Sequence, residues 1–156
     1  MDRAGRAFAV YLRPRLLLIL VLGFASGLPL LLTSSTLTIR LREAGVDLGA
    51  IGLFSLVGLP HSLKFLWAPL LDRLPLPWLT RRMGRRRGWM MAIHLGLIAA
   101  IAGLGAIDPL DGGVALIGLL ALIVAFLSAT QDIAIDAYRV EGLKREEYGA
   151  GAAMAV

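Results

Sequence analysis

The chain has 156 residues, 58% of them hydrophobic and 17% charged, with a mean hydropathy of +0.76; that balance does not suit a water-facing surface and puts the protein in a membrane. It contains no cysteine, which excludes disulfides, thiolate metal sites and cysteine nucleophiles. The formal net charge of +5 acquires meaning only from where the charges fall.

A bilayer crossing needs about 20 predominantly apolar residues, and four stretches meet that length. The expected spans are about 16–39, 48–71 (with Lys64 inside it), 88–107 and 112–138, and a fifth apolar run, GAGAAMAV, begins at about 149 and is cut off at Val156. Residues 1–15 precede them as a short polar N-terminus, and 16–156 form a partial transmembrane bundle. The first span opens with Arg13, Arg15 and LLLILVLGF followed by ASG, a pattern that also fits a signal peptide with its cleavage site. The apolar run continues through LPLLLTSSTLTI, Pro29 lies just after the supposed site and three more spans follow, so a retained helix is expected.

Short loops rich in arginine and lysine stay in the cytoplasm. Arg3, Arg6, Arg13 and Arg15 precede the first span; Arg73, Arg81, Arg82, Arg85, Arg86 and Arg87 follow the second; Arg139, Lys144 and Arg145 follow the fourth. The alternate loops hold Arg40 and Arg42, and then none beside Asp108 and Asp111. Thirteen against two places the N-terminus in the cytoplasm. TRRMGRRR therefore reads as a topology signal rather than a nucleic-acid patch, and no nucleic-acid partner is expected. Trp67, Trp89 and Tyr138 sit near the same boundary, where amphipathic rings are favoured, whereas Trp78 lies in the loop.

Within the spans, polar and helix-disrupting groups mark candidate sites. GFASGLP places Gly23 and Gly27 at the spacing that allows close helix approach, and Pro29 removes a backbone hydrogen bond. Packing explains this much. Weakened helices also line cavities in transporters, where protein or water satisfies the backbone. His61 and Lys64 share a face of the second span, and a charged lysine there is costly unless paired. His94 stands alone on the third span and reads as a packed or interfacial histidine, because a metal site lacks its other members.

The fourth span ends in DIAIDAYR, Asp132 to Arg139, two carboxylates after twenty uncharged residues. Measured back from their inner ends at about 1.5 Å per residue, Lys64 and Asp132 both lie roughly 10–12 Å below the boundary. Asp132 is expected to pair with Lys64 or to exchange a proton within a cavity. Asp136, one turn nearer the arginines, is expected to join an inner-boundary charge cluster with Asp72, Arg73 and Arg139. Structural ion pairing serves as well for Asp132 and better for Asp136.

Enzymatic readings fit poorly. DPLDGGVA followed by a D-x-x-x-D pair resembles the metal site of CDP-alcohol phosphatidyltransferases in Asp108, Asp111, Gly112 and Ala115, but Leu116 replaces its arginine. Asp111 and Asp132 would also be about 30 Å apart along a helix. An intramembrane aspartyl protease needs its catalytic pair on two helices, and no G-x-x-x-x-G-K-[ST] phosphate loop is present. No enzyme activity, cofactor or bound metal is expected.

GFASGLPLLLTSSTL, IGLFSLVGLPHSLKFLWAPLLDR, GRRRGW and SATQDIAIDAYR with GAGAA resemble the AmpG muropeptide permease family of the major facilitator superfamily, from about Arg15 to Ala153. The resemblance implies a proton-driven importer of anhydro-muropeptides in the bacterial inner membrane, serving peptidoglycan recycling. Its partners would be membrane lipids, protons, a muropeptide-like substrate and the missing C-terminal helices of its own family fold. The superfamily's inner-loop signature is matched at Asp72 and Arg73, while Ala68 stands for its glycine and LPLPWLTRRM displaces GRRR. The gating role of that loop is therefore expected at Asp72 and Arg73 rather than Arg85, Arg86 and Arg87. A related branch includes acetyl-CoA transporters, so a different substrate is the alternative, as is a non-transporting membrane subunit or truncated remnant. The expected fold is all-α: four complete membrane helices and the start of a fifth, the N-terminal part of a major facilitator bundle.

Overall fold

A computed structural model describes residues 11–109, 113–143 and 145–154. Four helices among them are long and apolar enough to cross a membrane: α1 (Pro14–Glu43), α2 (Leu48–Leu66), α5 (Arg85–Ala106) and α6 (Val114–Gly142). Between α2 and α5 lie two short helices, α3 (Ala68–Arg73) and α4 (Pro77–Met83), and α7 (Tyr148–Met154) follows α6 after a 3₁₀ turn at Arg145–Glu147. No strand occurs among the described residues. Arg3, Arg6, Asp111 and Lys144 lie outside them.

Helix boundaries follow from local chemistry. Pro14 occupies the first turn of α1, where its missing N–H costs nothing. Pro29, deeper in the same helix, cannot donate to the preceding turn, and the helix widens into a π turn at Leu32–Thr36 before resuming at Leu37. Three hydroxyls of TSST return to carbonyls one turn back: Thr33 to Pro29 at 2.9 Å, Ser34 to Leu30 at 2.7 Å and Ser35 to Leu31 at 2.8 Å. Such bonds satisfy polar side chains that lipid would not. Gly45, at φ 75°, ends α1 in a Schellman motif, with Val46 N–H on Leu41 O and Gly45 N–H on Arg42 O, both at 3.0 Å. Two residues on, the Asp47 carboxylate caps α2 by accepting from Gly49 N–H at 2.8 Å and Ala50 N–H at 3.3 Å.

The second span is not one smooth helix to residue 71. It tightens into 3₁₀ geometry at Phe54–Gly58 and again at Lys64–Leu66, then breaks at Trp67 before α3. Pro60 and Pro69, each at the first turn of a new segment, divide the helical runs. The arginine-rich ends of the third and fourth spans extend beyond their apolar cores, to Arg85 and Gly142, because helix continues where side chains can reach water. The connecting stretch PLPWLTRRM holds α4 itself, and Arg82 lies 5.1 Å over the Trp78 ring.

Helix α6 is the axis of the bundle. Its Ile117, Ala121, Val124 and Ala134 are buried with Leu37 and Leu41 of α1 and Ile93, Leu97, Ala100 and Leu104 of α5. Small residues set the α5–α6 spacing: a Cβ on Gly96 would stand 3.1 Å from Leu127 Cδ1, and one on Gly103 would stand 3.3 Å from Leu120 Cδ1. Close approach of this kind replaces the hydrophobic effect, which lipid cannot supply between helices. Leu16 and Ile19 form a second small core with Leu143, and Arg13 pairs with the buried Glu147. At the opposite end of the bundle, the Arg40 guanidinium donates to Leu104 O and Ile107 O, each at 2.6 Å, and so closes the last turn of α5.

Candidate functional site: an ion pair within the membrane bundle

Lys64 and Asp132 meet. The 3₁₀ turn at the end of α2 presents Lys64, and its Nζ lies 3.4 Å from Asp132 Oδ2 on α6. The second carboxylate oxygen, Oδ1, accepts from the Ser26 hydroxyl of α1. Ser128, one turn before Asp132, reaches the Ser26 carbonyl at 3.5 Å. Three membrane helices thus converge on one carboxylate. The Asp132 and Lys64 side chains are 26% and 37% exposed, so the pair borders open space rather than solid core. That space is a cavity of about 210 Å³ lined by Gly23, Ser26, Lys64, Asp132, Ile135 and Asp136.

Two aromatic contacts hold Lys64 at this depth. Trp67, three residues on, donates its indole N–H to Thr130 Oγ1 at 3.2 Å and packs its ring 4.9 Å from that of Phe126. Both partners are on α6, close in sequence to Asp132, so the broken end of α2 is fixed to the helix that carries the acid. His61, one turn before Lys64, feels the charges of both Asp132 and Lys64. Its buried Nδ1 has no hydrogen-bond partner among the described residues. His94 is half-buried and its Nδ1 contacts Met90 O on its own helix at 2.7 Å.

The expected inner-boundary cluster is divided in two. Asp136 pairs with Arg139 on its own helix at 3.1 Å. Asp72 pairs instead with Arg86 at 2.6 Å, and Arg86 also grips Glu141 Oε1 through Nη2 at 2.7 Å and Nε at 3.1 Å. Arg85 donates to the Asp72 carbonyl. The hub is therefore Arg86 rather than Arg73, correcting the expectation that placed Asp72, Arg73, Asp136 and Arg139 together. The reason is α4: it packs across the start of α5, where a Cβ on Gly88 would meet Leu79 Cβ at 3.1 Å, and this turn returns GRRR to Asp72. The residues of the expected helix break lie apart from one another in this arrangement. Of its three residues Gly23 lines the ion-pair cavity; Gly27 is exposed, with nothing beyond its own stretch of helix within 4 Å of where a Cβ would stand, and Pro29 is buried and not among the residues lining that cavity.

Ser26, Arg86 and Glu141 carry contacts that the sequence did not single out. Ser26 lies inside the GFASGLP stretch and supplies its one hydroxyl; Glu141 lies beyond the apolar run of the fourth span. Among the described residues no group of three or more His, Asp or Glu side chains is placed to hold a metal ion. Asp111, one of the four acids compared with a phosphatidyltransferase site, is outside the described set.

The fold and the pair define a multi-pass α-helical membrane protein with a charged site inside its bundle. The model of the family described as acetyl-coenzyme A transporter 1 matches residues 15–107. The chain belongs to this family of membrane transporters, and the relatives it is similar to include AmpG-type permeases. It is 47% identical over 149 residues to an anhydromuropeptide permease of Escherichia coli strain K12, covering 94% of this chain and 29% of that protein. It is 34% identical over 142 residues to the putative transporter AmpG 4 of Rickettsia felis, covering 91% of this chain and 34% of the relative. With the putative transporter AmpG 3 of Rickettsia prowazekii it shares 35% identity over 138 residues, 88% of this chain and 32% of that one. The chain thus spans about a third or less of the length of these relatives. No solved structure matches it.

Proposed function

We propose that this chain is part of a secondary transporter that imports anhydro-muropeptides across the bacterial inner membrane, driven by protons, with its N-terminus in the cytoplasm. The substrate rests on the similarity to anhydromuropeptide permease along nearly the whole chain. The mechanism rests on one observation: the Lys64–Asp132 pair faces a cavity between membrane helices instead of being sealed in the core.

An ionisable pair at such depth is expensive, and proteins retain it where charge has to move. Asp132 is the proton carrier in this reading. In its charged form it holds Lys64 and, through Ser26, draws α1, α2 and α6 together. Once protonated it loses its charge–charge attraction for the ammonium, and the Lys64 side chain is freed to move while Trp67 keeps the α2 end on α6. Binding energy and proton binding are then coupled through one contact, as reciprocal linkage requires. Arg86 with Asp72 and Glu141 acts at the arginine-rich face, where it ties the α2–α5 connection to the end of α6.

The test is uptake of labelled anhydro-muropeptide by the complete gene product in membrane vesicles carrying an imposed pH gradient. Accumulation that collapses when the gradient is dissipated supports the reading. Accumulation indifferent to the gradient ends proton coupling, and no uptake at all ends the muropeptide assignment. Reporter fusions before Pro14 and between α1 and α2 check the orientation.

A further inference from the structure

We infer that the Lys64 ammonium is the receptor for a carboxylate of the transported molecule, freed for that task when Asp132 takes up a proton. The inference rests on the transport reading above and names the group that its site recognises.

The geometry points there in three ways. First, the Lys64–Asp132 contact is long. At 3.4 Å it exceeds the roughly 2.7–2.9 Å of a settled charge-assisted bond. An ammonium has three donors, and among the described residues Asp132 is the one side-chain acceptor in contact with it. Lys64 itself lines the cavity. Second, Asp132 is better satisfied without Lys64 than Lys64 is without Asp132, because Ser26 already serves Oδ1. Third, once Asp132 is protonated the charged groups around the cavity are left with one cation in excess, which calls for an anion. Asp132 and Asp136 face it from α6, but Asp136 is drawn to Arg139 at 3.1 Å. Lys64 and the nearby His61 come from α2, and α1 contributes only the uncharged Gly23 and Ser26.

The exchange balances in charge. A proton forms an O–H bond at Asp132 Oδ2 as the ion pair parts, and the ligand carboxylate replaces Asp132 beside the Lys64 ammonium. One proton and one carboxylate enter together, so the site's net charge is the same before and after. A cavity of about 210 Å³ bordered by Lys64 and Asp132 has room for a carboxylate-bearing end group beside the ammonium. The group recognised is a carboxylate, such as a peptide's C-terminus.

The experiment compares two probes in the complete gene product under an inward pH gradient: an anhydromuramyl dipeptide with a free C-terminal carboxylate, and its C-terminal amide. The acid is expected to enter about tenfold faster than the amide, the factor expected of one charge-assisted contact. In Lys64→Gln the ratio of the two rates is expected to fall to one, and Lys64→Arg, which keeps the charge, to restore part of it. Equal uptake of acid and amide by the unaltered protein overturns the inference and leaves the transport reading standing; uptake of neither overturns both. Retention of the acid preference in Lys64→Gln, with both rates lowered alike, shows Lys64 to be a structural residue and overturns the inference. Should Lys64→Gln fail to insert, the acid-to-amide ratio in the unaltered protein and in Lys64→Arg decides by the same criteria.

Discussion

The bundle carries two acid–base clusters built from the same chemistry and tuned to opposite ends. Within the membrane, one lysine meets one aspartate at 3.4 Å beside a cavity. At the arginine-rich face, Arg86 clamps two carboxylates at 2.6 and 2.7 Å, and those acids, Asp72 and Glu141, are each about half exposed. The fork of a guanidinium suits a fixed, multidentate clamp, whereas a flexible ammonium makes a point contact that can be handed on. Water screens the arginine clamp and leaves it strong in geometry but modest in energy. The lysine pair is partly exposed to its cavity, so its contact is free to be exchanged.

Substitutions can break or sharpen this contrast. The largest effect is expected from Asp132→Asn, which keeps the shape and removes the carboxylate: if Asp132 carries the proton as proposed, uptake under a pH gradient should fall by about 100-fold, as when a positioned proton-transfer group is lost. Uptake that persists in the variant would remove Asp132 from the mechanism. Next comes Lys64→Gln, which leaves the acid without its cation. Because the pair is partly exposed, a loss of about 1–2 kcal/mol is expected, below the range for fully buried pairs. Thermal unfolding in detergent measures it, and adding Asp132→Asn should recover most of the loss. Arg86→Ala should cost about 1 kcal/mol, and the cost should shrink near 1 M salt, where the screening length is about 3 Å. A cost independent of salt would show the clamp to be effectively buried. Asp136→Asn should do least: an i,i+3 pair at a helix end contributes about 0.2–0.5 kcal/mol, so uptake should change by no more than about twofold.

Much of this arrangement can be read from the residues. Charge spacing alone locates the four membrane helices, and Lys64 and Asp132 fall at one depth because the second and fourth spans run in the same direction. Their contact follows from that register. The Arg86 clamp is not readable in the same way, since it depends on how α4 folds the α2–α5 connection back, a tertiary event with no periodic signal. Glu141 escapes notice because hydropathy marks where lipid ends, and α6 continues well beyond that point to Gly142. The division of the second span at Trp67 is hinted at by Pro60 and Pro69, but the 3₁₀ turn that aims Lys64 arises from packing against α6.

Arg40 carries a consequence for how the molecule is made. Its guanidinium is satisfied by carbonyls at the end of α5, and 64 residues separate it from Leu104. A ribosome therefore delivers Arg40 to the membrane long before its acceptors exist, and during that interval the charge has to remain at the aqueous surface. Only when α5 inserts can α1 settle to its final depth. The first helix is thus finished by the third, and a nascent chain halted ahead of Leu104 should show the α1 end more open to water-soluble thiol labels, at a cysteine substituted for Glu43, than one released after Ile107.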